Sequence, residues 1–121
     1  MIMPCNANTS IFTLCTDATS YSKRATSVDV SCTFNGGGIQ GPNGNAVAPN
    51  FSYTFYLQRH NGSTWMNQRS ASGTFNHQTP TKALSLSGLQ GGLYRVLMSY
   101  QSQANPSYNG LVNTYSFNVA R

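Results

Sequence analysis

Acid–base chemistry has little to work with in this chain. Asp17 and Asp29 are its only carboxylate side chains, glutamate is absent, and His60 and His77 are its only imidazoles. Carboxylates supply most general bases, most calcium and magnesium ligands, and the orienting partner of most catalytic histidines. A Ser–His–Asp arrangement would have to draw on Asp29, on the outward parity of a candidate strand, or on Asp17, in the turn-forming run Thr16-Asp-Ala-Thr19. A glycosidase flanks the scissile bond with two carboxyl groups and would use both acids of the chain. No G-x-S-x-G elbow, P-loop or H-E-x-x-H occurs. The expectation is a protein that binds and does not catalyse, with no cofactor and no metal.

The three cysteines, Cys5, Cys15 and Cys32, allow at most one internal bridge. No C-x-x-C spacing exists, and the histidines lie far downstream, so zinc is a poor reading. Cys32 falls on the buried parity of a candidate strand and reads as a small core residue. Cys15 falls on the outward parity of another, which argues against Cys15–Cys32; Cys5–Cys15, tying the N-terminal arm to the first strand, is the expected bridge, with Cys5–Cys32 as the alternative.

The formal charge of +5 comes from Lys23, Arg24, Arg59, Arg69, Lys82, Arg95 and Arg121. Only Lys23 and Arg24 are adjacent. Without a basic run to track a phosphate backbone, no specific nucleic-acid partner is expected, although weak salt-sensitive attraction to anionic surfaces is. No stretch approaches the roughly 20 apolar residues of a membrane span, so membrane insertion is not expected. The opening Met-Ile-Met-Pro-Cys lacks the apolar centre of a signal peptide. Charged residues make up only 7% of the chain, against Ser, Thr, Asn and Gly in abundance and seven Tyr and six Phe. That composition fits a secreted or surface-displayed β-protein in mature form.

Period-two alternation between Gly, Asn, Pro and Ser clusters predicts strands at 10–15, 26–34, 51–60, 63–70, 82–87, 93–103 and 112–120. About seven strands in one domain spanning 1–121, with 1–9 as an N-terminal arm, predict an all-β, two-sheet antiparallel sandwich. Parity predicts the buried set: Phe12 and Leu14; Val28, Val30, Cys32 and Phe34; Phe51, Tyr53, Phe55 and Leu57; Leu84 and Leu86; Tyr94, Val96, Met98 and Tyr100; Tyr115, Phe117 and Val119.

The run Leu84-Ser-Leu-Ser-Gly-Leu-Gln-Gly-Gly-Leu-Tyr-Arg-Val96 resembles the E–F corner of fibronectin type III and other immunoglobulin-like modules. The resemblance implies that Tyr94 hydrogen-bonds back over the corner and that Leu89 plugs the base of the sandwich. Val96 stands where antibody domains place their second inter-sheet cysteine. This architecture hosts many functions, so the resemblance speaks to fold alone.

Two candidate surfaces follow. Asn61-Gly62 between two strand patterns predicts a two-residue hairpin pairing His60 with Ser63, Gln58 with Trp65, Tyr56 with Asn67 and Thr54 with Arg69. Trp65, Tyr56, Gln58, Asn67 and Arg69 would then share the outer face with Arg95, an aromatic platform with amide and guanidinium donors for a sugar ring or a protein. The alternative is a Trp lying flat over an edge strand, or buried by a one-residue register change. The second surface is a rim of two loops at one end of the sandwich, the Gly-rich stretch 35–45 and the segment 104–110, where Tyr108 and Asn109 would be exposed. The partner expected is a glycan or an extracellular protein. The other readings are a structural or adhesive spacer of a larger extracellular assembly, and a small basic secreted effector or inhibitor of an acidic protein.

Overall fold

The computed structural model describes Cys5, residues 11–36 and residues 38–121. The remainder of the expected N-terminal arm, and the first residue of the strand expected at 10–15, lie outside the described residues.

Among the described residues eleven strands form: β1 (Phe12–Thr16), β2 (Ser20–Tyr21), β3 (Ser27–Phe34), β4 (Ile39–Gln40), β5 (Ala46–Val47), β6 (Phe51–His60), β7 (Trp65–Phe75), β8 (Lys82–Ser85), β9 (Gly92–Ser102), β10 (Asn109–Asn113) and β11 (Phe117–Val119). One sheet has the order β1-β3-β8; the other runs β2-β11-β9-β6-β7, with β10 also on β9; β4 and β5 form a small ribbon. This is the expected immunoglobulin-like sandwich. Its pairings are antiparallel except β2 on β11, where the chain crosses from the first sheet to the second after Thr16.

The alternation does what its parity predicts over most of the chain. Phe12, Leu14, Val28, Val30, Cys32, Phe34, Phe51, Phe55, Leu57, Leu84, Leu86, Val96 and Met98 are buried. Phe51 sits at the centre of an aromatic cluster, with ring centroids 5.2 Å from Phe12, 5.1 Å from Phe34 and 5.3 Å from Phe75. The corner forms as the resemblance implied. Tyr94 is fully buried and its hydroxyl donates to the Gln90 carbonyl at 2.5 Å, while Leu89 packs against the core.

The last strand departs from the expectation. Between the pairs Val112↔Met98 and Phe117↔Tyr94, the chain uses one residue more than its neighbour. Such a bulge reverses the parity of everything beyond it. Thr114 is buried in the interruption, its amide donating to the Val96 carbonyl at 2.9 Å and its hydroxyl accepting the Val96 amide at 3.0 Å. Tyr115, expected in the core, still follows the register of β10 and is 62% exposed, whereas Phe117 and Val119 beyond the bulge are buried as expected. The strand expected to end at Ser70 instead continues to Phe75, which supplies a core ring.

A row of four residues crosses the larger sheet: Gly73 pairs with Tyr53, Tyr53 with Tyr100, and Tyr100 with Gly110. A methyl group at Gly73 would stand 3.1 Å from the Tyr53 hydroxyl, and one at Gly110 only 2.7 Å from that of Tyr100. Each tyrosine thus lies over the glycine of an outer strand, covering backbone that has no side chain of its own. Tyr100 is accordingly half-buried, not fully enclosed as parity alone predicts.

Cys5 and Cys15 form a disulfide, and Cys32 is a buried free thiol. Desolvation pushes the Cys32 thiol up from 9.0 to about 12. Between those two values the unfolded chain has released this proton and the folded one has not. Stability therefore falls as pH rises through that window, and below it Cys32 has no effect on the pH dependence. Melting curves from pH 8 to 11 should show the decline in the wild type and a smaller one in Cys32→Ala, and a thiol reagent at pH 8 should leave Cys32 unmodified until the protein unfolds.

Candidate functional site

The hairpin between β6 and β7 builds the face that carries Trp65. Its loop has four residues, not two, and the pairing begins at His60↔Trp65. The Asn61 side-chain oxygen accepts the amides of Ser63 and Thr64, each at 2.9 Å, and Gly62 takes a φ of 97°. Asparagine bonding its own backbone two and three residues on is a turn device that competes with the two-residue hairpin. Ser63 and Thr64, both small and polar, were the signal in the sequence for the longer loop.

A bulge at Gln68 then shifts the register between Leu57↔Arg69 and Gln58↔Asn67. Trp65 and Asn67 share the outer face with His60 and Gln58, as expected in kind though not in pairing. Arg69 does not join them. Opposite the core residue Leu57, it donates to the carbonyls of Gln68 at 2.9 Å and Ser87 at 2.6 Å, reaching across the sandwich edge to the E–F corner. Tyr56 stays on the outer face, half-buried opposite Ser70 and Leu97.

The polar groups of this face are bonded to one another. Arg95 Nε donates to Gln58 Oε1 at 2.8 Å, and Gln58 Nε2 donates to Asn67 Oδ1 at 2.9 Å. Gln58 is only 7% exposed. The Arg95 guanidinium stands 4.5 Å over the Trp65 ring, whose edge meets His60 at 5.0 Å between centroids. Partial burial lowers the Arg95 pKa from its ordinary value, but so high a starting point leaves it charged. A guanidinium on an indole face is a favourable stack worth about 0.5–1 kcal/mol where solvent reaches it.

The loop rim lies at the opposite end of β6. Ile39 and Gln40 pair with Val47 and Ala46 in the β4–β5 ribbon, and Asn105 Nδ2 donates to the Gln40 carbonyl at 2.9 Å, joining the two loops. Tyr108, expected to project into solvent, turns inward: its ring lies 6.1 Å from Phe51 and 6.3 Å from Tyr100. Asn109 is exposed, its side-chain Nδ2 donating to the Pro106 carbonyl at 2.9 Å. The structure does not bring Tyr108 and Asn109 together with the Trp65 face.

The scarce acids have structural partners. Asp17 accepts the Tyr21 hydroxyl at 2.6 Å and the Asp29 amide at 3.1 Å, and Asp29 accepts the Ser27 hydroxyl at 3.0 Å. Burial first, then Asp17, raises the Tyr21 pKa. His77 contributes its backbone carbonyl to the Phe34 amide at 2.7 Å. Among the described residues no helix is long and apolar enough to cross a membrane.

No curated protein matches the chain. A family model, the YqgA MG2 macroglobulin domain, matches residues 6–120. Domains of that kind are immunoglobulin-like β-sandwiches, in keeping with the two packed sheets and the tyrosine corner, and with the disulfide they fit an extracellular setting. The chain therefore belongs to the YqgA MG2 macroglobulin domain family.

Proposed function

We propose that this macroglobulin domain is a non-catalytic structural module of a larger extracellular assembly, positioning neighbouring parts and not recognising sugars. The observation that supports this most is the Trp65 face. A sugar-binding tryptophan offers an open ring and free donors beside it. Here Arg95 covers one side of the indole, and the Arg95–Gln58–Asn67 chain joins three strands through its own hydrogen bonds. That arrangement ties β9, β6 and β7 together in the manner of a brace.

The Trp65→Ala variant separates this reading from glycan recognition. A brace predicts a loss of about 1–2 kcal/mol in unfolding free energy, from the lost stack and the uncovered apolar surface. It also predicts that a glycan array gives no signal that depends on Trp65. Array binding that disappears in the variant at an unchanged Tm would overturn it.

A further inference from the structure

Five of the seven basic residues, drawn from four separate stretches of the sequence, meet around the E–F corner. Lys23, Arg24 and Arg121 line a shallow cleft with Ala25, Leu86 and Leu89. Arg69 reaches the same segment through the Ser87 carbonyl. Arg59 Nε donates to the Gly91 carbonyl at 3.1 Å, and a methyl group built on Gly91 would stand 3.4 Å from Arg121 Cβ.

The hydrogen bonds of these guanidinium groups end on neutral acceptors. Arg121 donates to the carbonyls of Lys23 and Ala25, each at 2.8 Å, and of Ser22 and Leu86, each at 3.4 Å. A carbonyl orients a guanidinium without cancelling its charge, and the two acids of the chain are engaged with Tyr21 and Ser27. The buried Tyr94 phenol registers the convergence: burial raises its pKa, while Arg59, Arg121 and Arg69 all pull against that. Like charges so gathered repel one another and attract an anionic partner, most strongly at low salt.

We infer that this end of the sandwich is a docking surface for an acidic polypeptide segment carrying apolar side chains. Ala25 and Leu89, both partly exposed between the cations, favour such a segment over a sulfated glycan, which would bring charge but nothing apolar. The inference rests on the structural-module reading and supplies the chemistry of the neighbour that the module would hold.

A fluorescent peptide of alternating glutamate and leucine, and a heparin oligosaccharide, are the probes. Lys23 and Arg24 are exposed loop side chains, so Lys23→Gln/Arg24→Gln should keep the wild-type Tm. The peptide is expected to bind about tenfold more weakly to that variant at low ionic strength, with Lys82→Gln unchanged, and to weaken at about 0.15 M salt. No peptide binding, an equal loss in Lys82→Gln, or tighter capture of heparin than of the peptide would each overturn the inference. The structural-module reading is tested separately, by the Trp65→Ala melting curve and the glycan array.

Discussion

Phe51→Ala is expected to lower the free energy of unfolding by about 3–5 kcal/mol, the usual cost of deleting a fully buried aromatic ring. Phe51 opens β6 where both sheets and the loop rim converge, and its ring meets Phe12, Phe34, Phe75, Tyr100 and Tyr108. Those partners come from β1, β3, β7, β9 and the segment before β10, so no single element can shift inward to fill the hole. Domains of this size hold only about 5–15 kcal/mol in total, so the variant should lose roughly a fifth or more of its stability. Urea titration should show a lower midpoint at an unchanged slope. A loss under about 1 kcal/mol would mean that the cluster repacks around the gap and that the core is not centred on Phe51.

Breaking the Cys5–Cys15 bridge is the second large effect. The two residues are separated by 10 in sequence, and closing a loop of that size in the unfolded chain corresponds to about 2–3 kcal/mol on the chain-entropy model. The bridge ties the segment around Cys5 to β1, which stands at the end of its sheet beside β3. Cys5→Ser/Cys15→Ser should therefore melt well below the wild type. Reductant should lower the wild-type Tm towards that of the variant and leave the variant unmoved. A reductant effect that persists in the double variant would place the bridge elsewhere.

The parity of β1, β3, β6 and β9 placed nearly every core residue correctly, and the corner run led directly to the Tyr94 hydrogen bond. Those features are local: a strand with one apolar face has few other ways to bury it. The errors share a different cause. One extra residue at Gln68 moved Arg69 off the Trp65 face, and one between Val112 and Phe117 left Tyr115 on the outward register of β10. A bulge changes the backbone by a single residue yet reverses every side chain beyond it, and whether it forms depends on the partner strand. The same holds for Tyr108, drawn inward by aromatic rings on β6 and β9.

From its amino acids alone, then, this protein was bound to be a sheet-built domain with a Phe- and Tyr-rich interior and at most one internal disulfide among three cysteines. Alternation and composition act within a few residues, so they can be read without a fold. The covered tryptophan, the tyrosine-over-glycine row and the gathering of Lys23, Arg24, Arg59, Arg69 and Arg121 were decided only by tertiary structure. Each depends on register between strands distant in sequence, which is set by the cross-strand contacts of the whole sandwich and not by any segment of it.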